Sequence, residues 1–234
     1  PVEEETSDRG GMVLVRSLGR NITLGTENEK APPDVHPAMK VTFDYDFSIS
    51  SHEVTRSGFY SEVVSGRAPD GWMKDMTPDS GNYPMVQVTF YDAVLYANAK
   101  SKGEHLDTVY TYDEVLLDGD GNCSSLGNLL FHPEVEGYRL PTEAEWTIVA
   151  RSHWNPEKCW NLVRSGNSLH EVCTERDAGE GSAICDMAGN VMEWVNDWKG
   201  AFTDGEVSNF VGANDGGTMG ERVLKGGGFH NAAS

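Results

Sequence analysis

Residues 39–49 alternate, with Val41, Phe43, Tyr45, Phe47 and Ile49 on one side, and this period of two predicts a strand with one buried face. Two shorter apolar runs precede it, G-M-V-L-V at 11–15 and I-T-L-G at 22–25, and they read as an N-terminal hairpin closed through residues 16–21. The period becomes helical in three places, each opened by a threonine. Thr55 can cap a helix that carries Phe59, Tyr60, Val63 and Val64 on one side. Thr89 with Asp92, and Thr142 with Glu145, have the spacing of capping boxes, which predicts helices over 90–100 and onward from 143. In the third helix Trp146, Val149 and Ala150 mark the apolar face, leaving Glu143, Glu145 and Arg151 to solvent.

Between these elements the chain is punctuated by turns. Residues 67–83, rich in Pro, Gly and Asp, predict an irregular excursion, and residues 106–132 predict an inserted hairpin turning at D-G-D-G-N, 118–122. That turn resembles the start of an EF-hand loop, but Cys123 and Leu129 occupy the positions of the obligatory Gly and Glu, so an Asp/Gly turn is the better reading. After a loop over 154–182, Gly189-Asn190 signals a turn into a strand carrying Val191, Glu193 and Val195. Residues 199–220 read as glycine-rich loop, and R-V-L-K-G-G-G-F at 222–229 reads as a strand running into a tight glycine bend.

Short strands, few helices and many turns define an α+β chain, and its 234 residues suit one large domain that can bury roughly 70% of its unfolded surface. With 37 acidic against 18 basic residues the net charge is −19, which argues against nucleic acid or an anionic membrane as partner and makes divalent cations the natural counter-species. A soluble acidic surface accounts for the charge as a whole. No apolar run is long enough for a membrane helix, so no membrane insertion is expected. The start at Pro1 followed by Glu3, Glu4 and Glu5 looks processed and leaves room for a removed export signal. Cys123, Cys159, Cys173 and Cys185 lack zinc-finger spacing, and the even count fits either disulfides in an oxidising compartment or buried thiols. Neither a Ser/His/Asp arrangement nor a phosphate-cradling loop can be argued from spacing.

Six segments in order carry a resemblance: G-M-V at 11–13, S-H-E-V-T at 51–55, Y-P-M-V-Q-V-T-F-Y-D-A-V-L-Y-A at 83–97, G-Y-R-L-P-T-E-A-E-W at 137–146, D-M-A-G-N-V-M-E-W at 186–194 and R-V-L-K-G-G at 222–227. Together they resemble the formylglycine-generating-enzyme-like, or sulfatase-modifying-factor, superfamily over essentially the whole chain. The resemblance implies a variant of the C-type-lectin fold in a single domain over 1–234, lacking the family's closing C-terminal segment. It also implies structural calcium, with Asn161 and the Leu162 carbonyl at one place, and Glu180 with the carbonyls of Gly181 and Ala183 at another, because oxygen donors suit this ion. A disulfide between Cys159 and Cys173 would bridge the shortened loop here.

Members of the superfamily oxidise a substrate cysteine with copper, make sulfoxides with iron, or display ligands on a lectin-like surface, so the fold does not decide among them. The copper oxidases place two thiolates just after the glycine bend. In K-G-G-G-F-H-N-A-A-S at 225–234, Asn231 stands at the first of those positions and the second lies beyond the last residue, so copper is not expected. The expectation is therefore an exported, lectin-like binding module at a bacterial-type surface, secreted or periplasmic, without cysteine-oxidase activity. Its ligand is a glycan or protein that the sequence does not identify. Phe229, His230 and Asn231 would line the contact patch, with Trp194 and Trp198 supporting it, although tryptophans more often fill a core. The competing reading is a metal-dependent oxidase whose thiolates lie beyond residue 234.

Overall fold

The computed structural model describes residues 2–6, 10–78, 81–155, 157–174, 183–214 and 220–232. The chain divides into two compact units, one built from residues 1–53 and 141–234, the other from 54–140.

In the first unit the strands are β1 (Glu3–Thr6), β2 (Met12–Arg16), β3 (Asn21–Leu24), β4 (Met39–Thr42) and β5 (Phe47–Ser50). The expected hairpin of the two N-terminal runs does not form. β2 lies between β1 and β5, both antiparallel to it, whereas β3 pairs antiparallel with β4. Nor is the alternating stretch 39–49 one strand: it breaks at residues 43–46 and serves both sheets. The reason lies in the two links. The Gly19 and Phe43 amides donate to the carbonyls of Phe43 and Arg20, Ser17 Oγ donates to the Tyr45 carbonyl, and Leu18 N donates to Asp46 Oδ1. Both chains thus bend at the same level and change sheets together. Alternation survives the bend, so Val13, Val15, Ile22, Leu24, Met39, Val41, Phe43 and Phe47 all enter one core.

The helix α3 (Glu143–His153) covers that core with Ala144, Trp146, Ile148, Val149 and Ala150. Its capping box forms as expected, with Glu145 N donating to Thr142 Oγ1 and Thr142 N donating to Glu145 Oε2. Glu145 is not left to solvent, however. It is fully buried because its carboxylate also accepts the Tyr45 hydroxyl, at 2.9 Å. The unit is completed by β10 (Glu193–Trp198), antiparallel to β12 (Arg222–Lys225), and by β11 (Gly205–Ser208), which runs parallel to β4. β11 lies in the stretch expected to be loop. Its four residues offer little apolar alternation, and its pairing is made through the backbone.

In the second unit α1 (Arg56–Val63) and α2 (Phe90–Gly103) begin after Thr55 and Thr89, as their caps predict. The excursion between them returns to its start, where Arg56 N donates to the Tyr83 carbonyl and Met85 N to the Val54 carbonyl. The inserted hairpin is present as β7 (Glu114–Leu117) with β8 (Cys123–Gly127), bracketed by β6 (Tyr110–Thr111) with β9 (Leu130–Phe131). Asp118 closes the turn itself, accepting from Asp120 N, Asn122 N and Asn122 Nδ2, which is the work of an Asp/Gly turn rather than an ion loop. Asp92 does more than cap α2: its buried carboxylate also accepts from Trp72 Nε1 and Cys123 N, tying the excursion and the hairpin to the helix. No helix among the described residues is long and apolar enough to cross a membrane.

Candidate functional site

β12 runs into Gly226 and Gly227, both in the left-handed region, with φ of 86° and 73°, and this reverses the chain toward Phe229. Three segments close around the bend through backbone bonds. Gly189 N donates to the Gly226 carbonyl, Phe229 N to that of Asn190, Asn190 N to that of Trp160, and Leu162 N to that of Asn231. Ser165 Oγ donates to the Phe229 carbonyl.

Beneath this lattice sits Glu53, only 6% exposed, whose carboxylate accepts from Asn190 Nδ2 at 2.7 Å and from Val191 N at 3.0 Å. Burial pushes its carboxyl well above the usual range. The charges of Glu193 and Asp186 add to this, and the two hydrogen bonds oppose it. Asn190 also turns outward: its Oδ1 accepts from His170 N and its Nδ2 donates to the His170 carbonyl, so one side chain grips the loop on both its backbone groups. The imidazole of His170 stacks on Trp160, with centroids 3.6 Å apart and planes 8° apart, and its Nε2 faces the Ser165 carbonyl. The outer surface of the bend therefore carries half-buried Phe229 against exposed His230, the Trp160–His170 stack, and exposed Leu162 and Val163, the latter 87% exposed.

Of the expected contact residues, Phe229, His230 and Asn231 share the bend. Asn231 serves its shape, since its Oδ1 accepts from Gly228 N at 2.8 Å. Trp194 lies opposite Leu224, one residue before the strand end that enters the bend. Trp198 pairs with Arg222 at the far end of β12, roughly 10 Å away at a strand rise of about 3.3 Å per residue. There the Arg222 guanidinium covers its ring at 3.4 Å, so Trp198 supports the sheet and not the bend. The sequence alone does not mark Glu53, Asn190, Trp160 or His170 as site residues. Glu53 and Asn190 belong to the quoted segments S-H-E-V-T and D-M-A-G-N, but their pairing is visible only in the fold.

The expected calcium ligands divide. Asn161 Oδ1 accepts from Val163 N and Arg164 N, and its Nδ2 donates to Cys159 Sγ. Two N–H dipoles thus point at the oxygen a cation would need, so this amide does not fit the ion. Leu162 is exposed beside it, with its amide committed to Asn231. Ala183 is half-buried against the core, while Glu180 and Gly181 lie outside the described residues. The expected Cys159–Cys173 bridge is corrected: the disulfide joins Cys173 to Cys185, with Cα atoms 5.3 Å apart. Cys159 and Cys123 are buried thiols, and burial pushes the Cys123 thiol up to about 11. Cys159 is turned inward toward Asn161, which is why it does not reach the loop's second cysteine.

The sulfatase-modifying factor enzyme 1-like domain family matches residues 1–234. The chain belongs to that family. Among solved structures this family member is similar to Treponema denticola variable protein 1, with a TM-score of 0.71 and 21% identity over 99% of this chain and 89% of that one. It is also similar to CarF (TM-score 0.55, 23% identity, 99% and 88% covered) and to PvdO from Pseudomonas aeruginosa (TM-score 0.54, 19% identity, 100% and 87% covered). The likenesses establish the formylglycine-generating-enzyme type of C-type-lectin-like fold, with three α-helices and short, mostly antiparallel strands among the described residues. A curated relative, chaperone protein LppX of Paenibacillus barcinonensis, is 28% identical over 184 residues, 65% of this chain and 62% of its own length. The chain thus spans less than two thirds of that relative.

Proposed function

We propose that this family member is an exported, lectin-like binding module without cysteine-oxidase activity, and that the glycine bend is its ligand surface. The observation that carries the reading is the use made of Asn231. Its side chain closes the turn on Gly228 N and its carbonyl holds Leu162, so the position where the copper enzymes have a thiolate is structural in this chain. An amide there is a hard, weak donor unsuited to Cu(I). Around it exposed Leu162, Val163 and His230 stand with half-buried Phe229 beside exposed Arg164, an apolar and aromatic centre with a polar edge, as in a contact patch. A disulfide suits an oxidising compartment outside the cytoplasm. The relative named a chaperone protein makes a polypeptide ligand worth testing beside glycans.

The test incubates the protein with Cu(I), oxygen and a sulfatase-type cysteine peptide and follows the peptide mass. No aldehyde is expected, and turnover to the aldehyde overturns the reading in favour of an oxidase. In parallel, binding is screened on glycan and protein arrays. Replacing Phe229 and His230 together by Ala should weaken the selected ligand at least about tenfold, since aromatic anchors dominate such contacts. The melting temperature should hold, because the bend is tied by backbone groups. Unchanged affinity in that variant would place the surface elsewhere.

Structural calcium belongs to the same proposal, now restricted to the stretch of Glu180 and the carbonyls of Gly181 and Ala183, because Asn161 does not fit. A chelator is expected to lower the melting temperature by roughly 5–10 °C against calcium at about a hundred times its Kd. Glu180→Gln should remove the difference. A melt indifferent to the chelator ends the calcium idea.

A further inference from the structure

The Cys173–Cys185 disulfide lies outside the bend, yet it does not stand alone. A ligand atom of each cysteine and a carboxylate oxygen of Asp186 all lie within 4.8 Å of one another, and Cys185 and Asp186 are buried. The backbone is specialised here: Cys173 and Asp186 both sit in the left-handed region, with φ of 61° and 62°, an arrangement that costs energy for residues other than glycine. It turns the Asp186 carboxylate back over the cysteine, where its Oδ2 accepts from Cys173 N at 2.5 Å. Cys185 is fixed from the other side, its amide and its Sγ both meeting the Ser51 carbonyl.

We infer that Cys173, Cys185 and Asp186 form a three-donor, zinc-type metal site whenever the disulfide is reduced, so that bridge and metal are alternative states of the same loop closure. Two thiolates and a carboxylate supply three donors of a tetrahedral zinc site, and a water can take the fourth position. With Zn–S bonds of about 2.3 Å the two sulfurs stand about 3.8 Å apart, inside the envelope that the three ligand atoms already share. The chemistry balances with a dithiol as reductant. The dithiol delivers two electrons and two protons to the S–S bond, which opens to two thiols while the reductant closes its own disulfide. The metal then displaces the two thiol protons into the buffer. Metal would replace the covalent tie between positions 12 residues apart, so reduction need not release the segment between them.

The site is separate from the ligand surface proposed above, and its test reads metal rather than ligand. The full-length protein, oxidised or reduced with a dithiol that is then removed without oxygen, is titrated with Co²⁺ alone. The reduced protein is expected to bind one equivalent with thiolate-to-cobalt charge-transfer absorption, displaced by Zn²⁺, and the oxidised protein to show none. Cys173→Ser should abolish the band, and Asp186→Asn should weaken binding at least about tenfold, the loss typical of a removed ligand or its support. The buried thiols Cys123 and Cys159 provide the internal control. Absence of the band in reduced protein, or its survival in Cys173→Ser, overturns the site. The oxidised and reduced forms of the unaltered chain decide this even if a variant folds poorly.

Discussion

Gly189→Ala is expected to destabilise the protein by about 3–5 kcal/mol in denaturant unfolding, the upper range for a single residue. Gly189 has φ of 83°, and a Cβ built there would stand 2.5 Å from the Trp160 carbonyl oxygen and 2.8 Å from its carbon. Left-handed backbone alone costs a residue with a side chain about 1–2 kcal/mol. The clash adds the larger part, because the opposing atoms are backbone in a parallel bridge and cannot rotate away. Moving apart would break the bonds from Asn190 N to Trp160 and from Gly189 N to Gly226, on which the bend depends. Gly227→Ala is the matched control. Its φ is 73° but nothing lies within 4 Å of the added carbon, so only the conformational cost, about 1 kcal/mol, should appear. Equal effects at the two positions would mean that the three segments are not held together as described.

The second large effect is in pH dependence, and it centres on Asp197. Burial pushes its carboxyl up to about 7, with the charges of Glu143 and Glu145 adding to this and the Glu143 amide and Arg222 opposing it. The residue is 1% exposed, and among the described residues its Oδ1 has no hydrogen-bond partner. A folded value above the unfolded one means that the native state holds the proton more tightly. The contribution to stability is then complete below about pH 4 and is lost as pH rises through 7, a swing on the order of 4 kcal/mol. Glu53 acts in the same direction. Asp46 and Asp118, both exposed and held below the usual range by hydrogen bonds, act oppositely and favour the fold above pH 4. Stability should therefore peak near pH 4 and fall toward pH 7. Asp197→Asn imitates the protonated form, so it should change little at pH 4, stabilise at pH 7 and above, and flatten the profile between. A profile with the same slope in both proteins would remove Asp197 as the cause.

The contrast between what the sequence discloses and what it hides follows the range of the interactions. Thr55, Thr89 and Thr142 announce their helices because a cap is satisfied within three residues. The hairpin around Asp118 is equally local. Strand partnership is not, since β2 and β3 satisfy the hairpin pattern and are separated only because residues 43–46 bend with residues 17–20. At the site, the glycine bend and the polar turn before β10 were legible as backbone signals. Glu53 was not, because a carboxylate acquires its character only on being enclosed by Asn190, 137 residues away. The cysteines illustrate the same limit: spacing could not choose between Cys159 and Cys185 as partner to Cys173, and the choice is made by Asn161 and Ser51.

The lattice that holds the bend is written in main-chain atoms. Gly189 to Gly226, Phe229 to Asn190 and Leu162 to Asn231 are joined through amide and carbonyl groups that every residue but proline possesses. Side chains at 162, 163, 229 and 230 can therefore be exchanged with little cost to the fold, while 189, 190 and 53 cannot. Under the proposal that the bend binds ligand, such a division makes the outer face a replaceable label on a fixed frame, and closely related chains could carry different binding preferences without refolding any element beneath them.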